Sequence, residues 1–260
     1  MTMDDKTATA SRTLSDMLAL RHMPVGCMFA DEKPEGAMSF RKKGSGCIAP
    51  MIFSAAKGKT IAFDADSTGY PCSAFYLGYR EWIFPGIENF LSDGPVEGRE
   101  CERFVRTPAL AREFVASMKA EKMRKGAVIF KPLESFGAHE TPEFVILFAD
   151  PDQMSALVFL AHAAHPQSLD RIVTGFASAC MSLFTYPHRF AEQGEVKAFW
   201  GLHDIAVRPS LPKEITSLAM PLAMYREICE GAKESFLATE NWQKLLKRIK
   251  GDASGGETAT

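Results

Sequence analysis

The sequence predicts an α+β fold: a single compact domain with a mixed sheet flanked by helices. Three observations lead there. Short apolar runs of strand length alternate with longer segments of helical spacing, without the regular strand–helix–strand rhythm of a parallel α/β fold. No Pro-, Gly- or Ser-rich linker divides the chain. With 260 residues, 46% hydrophobic and 24% charged, the chain can bury a sizeable core without disulfide staples.

The domain is expected to span 11–250. Residues 1–10 are small and polar, and 251–260 carry no hydrophobic side chain larger than alanine, so both read as disordered tails. Leu14, Met17, Leu18 and Arg21 follow helical spacing, predicting a helix over 11–21 that Pro24 stops. A short buried strand follows at 25–30. The apolar, Ala-rich segment 48–57 reads as a helix ending at Gly58, and 60–63 as a strand before Asp64. Gly69, Pro71, Gly78, Pro85 and Gly86 then break the chain into turns. That stretch holds Tyr70, Phe75, Tyr76, Tyr79 and Trp82, either as a lid on the core or as the wall of a ligand site.

Thr107 and Pro108 open a helix to about Met118, as N-cap and first helical residue. Strands are expected at 127–130 and 144–148. Asp150-Pro151 begins a helix reaching His162. The apolar stretch 169–184 fits helix or strand equally. Strands are expected at 196–200 and 215–219, and helices at 221–231 and 235–250.

Thirty basic against thirty-two acidic residues leave a formal net charge of −2. That balance argues against a general electrostatic nucleic-acid binder, which needs excess Lys and Arg. The longest apolar stretches, 144–149 and 156–164, are far shorter than the ~20 residues of a membrane-spanning helix. The N-terminus has an acidic pair and no apolar core, so it does not read as a secretory signal. A cytoplasmic setting is therefore expected, with the six cysteines reduced, metal-bound or redox-active.

Position separates those cysteines. Cys47 lies behind two glycines in G-S-G-C-I-A-P, at a predicted helix start that favours a thiolate. Cys72 sits at a turn in G-Y-P-C-S-A, Cys101 in the charged loop G-R-E-C-E-R-F, and Cys180 among small residues in A-S-A-C-M-S. Cys27 and Cys229 fall inside apolar patterns and read as core. Thiolates cluster around soft metals. The gaps here are long, 25 positions from Cys47 to Cys72 and 29 from Cys72 to Cys101, and no C-x-x-C pair occurs. His162 and His165 share a helix end, and His203 precedes Asp204. There is no H-E-x-x-H, G-x-S-x-G, P-loop or G-x-G-x-x-G.

The segments C-I-A-P-M-I-F-S-A-A-K-G-K-T-I-A-F-D (47–64), E-R-F-V-R-T-P-A-L-A-R-E-F (102–114), A-D-P-D-Q-M-S-A-L (149–157), G-L-H-D-I-A-V-R (201–208) and Ser235-Phe236-Leu237 resemble, in order, the prokaryotic "domain of unknown function 169" family. The resemblance covers most of 14–245 and implies no established activity. It implies a cysteine at Cys47, another in the small-residue run ending at Cys180, and a third in a Gly-Cys-Pro-Gly-Gly turn. This chain departs at that turn: Tyr70 stands at the cysteine position of Gly69-Tyr70-Pro71-Cys72-Ser73, and Cys72 follows two residues later. The resemblance also implies a family typical of anaerobic bacteria and archaea, which suits an oxygen-sensitive thiolate cofactor.

Three functions compete. The first is a cytoplasmic iron–sulfur protein with Cys47, Cys72 and Cys180 as ligands, Cys101 as a fourth, and the aromatic segment 70–84 as a shield. It would transfer electrons to a redox partner protein or act on a small substrate. The second is a metal-free small-molecule-binding protein or thiol enzyme centred on Cys47, with Asp64, Asp204 and Arg208 orienting a polar substrate or, more simply, capping turns and strand ends. The third is a scaffold or accessory subunit, homo-oligomeric or not. Neither nucleic acid nor membrane is an expected partner.

Overall fold

A computed structural model of the chain describes residues 5–41, 46–94, 96, 98, 100–118 and 126–255. Seven strands form one mixed sheet: β1 (Val25–Ala30), β2 (Ile61–Phe63), β3 (Ala127–Pro132), β4 (Phe144–Ala149), β5 (Ile172–Val173), β6 (Ala198–Gly201) and β7 (Thr216–Pro221). Their order is β2-β3-β1-β4-β7-β6-β5, and among these strands β5–β6 pair in parallel while the others pair antiparallel. The α+β expectation therefore holds.

The sheet is buried on both faces, which explains why β4 reads as an unbroken apolar run. Its side chains alternate: Phe144, Ile146 and Phe148 enter one core, and Val145, Leu147 and Ala149 the other. The first core is closed by α2 (Ile48–Ala55), α3 (Pro71–Tyr76) and the segment around Cys180. The second is closed by α1 (Asp5–Leu18), α6 (Pro151–His162), α8 (Leu222–Gly231) and α9 (Glu240–Gly255). Three further helices, α4 (Ile87–Leu91), α5 (Pro108–Ser117) and α7 (Tyr186–Gln193), complete the set among the described residues.

Caps behave as their residues dictate. Thr107 accepts the Leu110 N–H at 3.2 Å to open α5. Asp150 and Gln153 form a reciprocal capping box at the start of α6, and the Gln153 amide also donates to the Ala19 carbonyl at 2.6 Å. Asp150→Ala should therefore cost about 1 kcal/mol, roughly 2–4 °C of melting temperature, and Asp150→Asn much less. Equal losses in the two variants, measured by thermal denaturation, would show that the cap is not the source.

Both expected tails are shorter than the composition suggests. α1 begins at Asp5 because its polar face docks: the buried Thr7 hydroxyl accepts from Arg226 Nε at 3.0 Å, and Ser11 pairs with the Tyr225 hydroxyl at 2.7 Å. α9 continues through Gly251 to Gly255. Residues 1–4 and 256–260 lie outside the described residues. The helix expected over 235–250 begins at Glu240, after two 3₁₀ turns that Ser235 separates.

The ambiguous stretch 169–184 is both things in turn. It supplies the short strand β5, then a π-helical turn, Met181–Thr185, that runs into α7. The β6 backbone packs directly on this turn, since a Cβ on Gly201 would lie 2.3 Å from the Ser182 Cβ. A π-turn is a rare local geometry and here immediately follows Cys180.

Candidate functional site

Cys47 is the N-cap of α2, and its extended backbone leaves the sulfur at the helix start, where the Ala49 N–H reaches it. Cys72 lies in the first turn of α3, behind Pro71, where the Ser73 N–H and hydroxyl reach its sulfur. Cys180 is buried at the entry to the π-turn, 3.7 Å from the Ser73 hydroxyl.

Two glycines allow the first two segments to touch. Gly46 and Gly69 have φ of +83° and +76°, and the Tyr70 N–H donates to the Gly46 carbonyl at 2.9 Å. A Cβ on Gly69 would meet that carbonyl oxygen at 2.5 Å, and Phe40 packs against both glycines. This contact sets the start of α2 beside the start of α3.

The result is a convergence of three thiols. Cys180 hydrogen-bonds to both Cys47 and Cys72, and this, ahead of any other cause, pulls the Cys47 and Cys72 thiols below their ordinary value. The Cys180 thiol moves the opposite way, well above its ordinary value, because those same bonds and its burial keep its proton in place. Cys180 keeps its proton and donates it to one partner at a time, and Cys47 and Cys72 are the sulfurs shifted toward the thiolate. Among the described residues, no group of three His, Cys, Asp or Glu side chains is already arranged around a metal-sized position. The three sulfurs are neighbours but not a finished coordination shell.

They open onto a cavity of about 570 Å³, the size range of small-molecule sites. Among the described residues seven aromatic rings line it, from α3, α4, α5, the loops beside them and the segment after β5, among them Tyr76, Phe84, Phe104, Phe114 and the half-exposed Phe176. Glu102, His203 and Asp204 supply polar groups. Burial, then the nearby Asp204, pushes the Glu102 carboxyl up to about 7. Asp204 accepts the Ala179 N–H at 2.9 Å and the Ala206 N–H at 3.1 Å, so it fixes the backbone that carries Cys180.

The fourth cysteine stays outside the group. Cys101 does not line the cavity, and its thiol donates to the Gly94 carbonyl at 2.6 Å. Its chain neighbour Glu102 faces the cavity instead. Cys27 and Cys229 are buried in the two apolar cores, and desolvation raises both thiols, Cys229 to about 12. Asp64 pairs with Lys33 at 2.8 Å and with Ser67, and Arg208 binds the carbonyls of Pro212, Lys213 and Ile215. Both are structural, so of the proposed polar trio only Asp204 reaches the site. The aromatic segment divides too: Tyr70 and Tyr76 line the cavity, whereas the Tyr79 hydroxyl ties Phe63 to Gly126 through their carbonyls. His162 Nδ1 pairs with the Val158 carbonyl at the end of α6, away from the cavity.

Sequence reasoning missed Glu102, Ser73 and the ring of Phe104, Phe114 and Phe176. Only Ser73, beside a singled-out cysteine, carried a usable signal. No helix among the described residues is long and apolar enough to cross a membrane. A family model, DUF169, described as "Uncharacterised ArCR", matches residues 13–231. No curated protein and no solved structure matches the chain.

Proposed function

This chain belongs to the DUF169 family, and from that premise and its three convergent cysteines we propose a cytoplasmic metal protein in which Cys47, Cys72 and Cys180 hold an iron–sulfur cluster with a redox or electron-transfer role. The observation that carries the reading is the meeting of three thiols, from segments far apart in the chain, at the edge of one apolar cavity.

The donor set fits such a group. Three soft sulfurs face one space, and two of them are shifted toward the thiolate that metal binding requires. Cys47, Cys72 and Cys180 would hold the group at the edge of the cavity, each as a thiolate. When bound, the cluster supplies one-electron chemistry. The chain does the rest. The starts of α2 and α3 offer N–H groups to the Cys47 and Cys72 sulfurs, Asp204 fixes the backbone of Cys180, and the aromatic wall would shield the group on one side.

Anaerobically purified protein should be brown and contain iron and acid-labile sulfide. Cys47→Ser, Cys72→Ser and Cys180→Ser should each lose most of the iron, with secondary structure checked by circular dichroism. Cys101→Ser should keep it. An iron-free anaerobic preparation with its cysteines intact, or iron retained in Cys180→Ser, overturns the reading, and iron without sulfide overturns the cluster.

One observation favours a second reading, a metal-free thiol site: the Cys47 and Cys72 thiols are held low by Cys180. On that reading, iron-free protein should react with iodoacetamide at Cys47 or Cys72 near neutral pH well before Cys27 and Cys229. Equal, slow labelling of every cysteine would remove it.

A further inference from the structure

The same cavity has a chemical preference that the sulfurs alone do not explain. Its described lining contains no Lys or Arg, while Glu102 and Asp204 both face it. The Glu102 backbone N–H donates to the Phe90 carbonyl at 2.8 Å, but its half-buried carboxyl has no hydrogen-bond or ion-pair partner among the described residues. Asp204 lies close enough to perturb it. His203 adds an imidazole ring. The remaining wall is largely aromatic, and ring faces attract cations through their quadrupoles. A carboxylate left without a partner beside such rings is costly unless it takes up a proton or something positive joins it. An anionic ligand would meet two carboxyls and two thiolate-prone sulfurs, with no cation among the described residues to offset them.

We infer that this cavity binds an organic cation, an ammonium or quaternary ammonium group on an apolar body, with the charge held between Glu102, Asp204 and the aromatic wall. This rests on the reading above only for the identity of the cavity, since the cation does not depend on a metal. A ligand-loaded cluster or a pair of free thiolates would add negative charge and reinforce the preference. The apolar body would lie along Phe84, Phe104 and Phe114, and the polar end toward the carboxyls. The half-exposed Phe176 and the exposed Ile205 stand where such a molecule would enter.

The test is a charge series on one skeleton, measured by isothermal titration calorimetry at pH 8, above the titration of Glu102: benzyltrimethylammonium, its uncharged carbon isostere neopentylbenzene, and benzoate. The cation should bind at least about tenfold tighter than the isostere, and benzoate should not bind at roughly millimolar concentration. Glu102→Gln should weaken the cation severalfold and leave the isostere unchanged. Isostere and cation binding equally, benzoate binding more tightly than the cation, or no probe binding at all overturns the inference, as does an unaltered cation affinity in Glu102→Gln. Iron-loaded and iron-free protein are titrated in parallel. Cation binding to protein that never takes up iron sinks the cluster alone, and iron-loaded protein that ignores the cation sinks this inference alone.

Discussion

Phe184→Ala is expected to destabilise the protein by about 3–5 kcal/mol, the cost of emptying a large buried aromatic site. Phe184 is 1% exposed and sits in the π-turn just after Cys180. Its ring meets Phe29, Phe130 and Phe144 at centroid distances of 6.0–6.4 Å and stacks on His188 at 5.3 Å. It therefore joins three strands to the segment that carries the third cysteine. The thermal midpoint should fall by roughly 10 °C or more. Phe184→Leu keeps most of the volume and should lose far less. A drop of only one or two degrees for Phe184→Ala would mean that the π-turn is not anchored by this ring.

The second large effect concerns the contact between the two helix starts. Gly69→Ala should lower stability and remove the cysteine site together. The residue has a φ of +76°, and its added Cβ would lie 2.5 Å from the Gly46 carbonyl oxygen, so the loops carrying Cys47 and Cys72 must separate. Gly58→Ala is the matched control: φ is +91°, but no atom lies within 4 Å of the new Cβ. It should cost only about 1 kcal/mol of left-handed backbone strain. Iron content after anaerobic purification, or iodoacetamide labelling of iron-free protein, reads the site, and thermal denaturation reads the fold. If Gly69→Ala and Gly58→Ala behave alike in both measurements, the glycine contact does not organise the cysteines.

Local physics made much of the fold legible. The Thr107-Pro108 and Asp150-Pro151 pairs mark helix starts because a side-chain acceptor and a preset φ are properties of adjacent residues. The apolar runs of β1, β3 and β4 mark strands because a sheet covered on both faces needs no alternation. The stretch 169–184 was not legible, because a π-turn is selected by what packs on it, here the bare backbone of Gly201 and the ring of Phe184. Nor was α1's start at Asp5, since a polar residue such as Thr7 joins a helix once Arg226 of α8 offers a partner.

At the site the division is sharper. By itself the sequence determined which cysteines stand at helix starts or among small residues, and that Cys27 and Cys229 belong to apolar patterns. Only the tertiary structure decided that Cys47, Cys72 and Cys180 meet, that Cys101 instead donates to Gly94, and that its neighbour Glu102 faces the cavity. Hydrogen bonding between thiols acts over a few ångströms. Cys72 and Cys180 are 108 positions apart, a separation that only the packing of α3 against the π-turn removes.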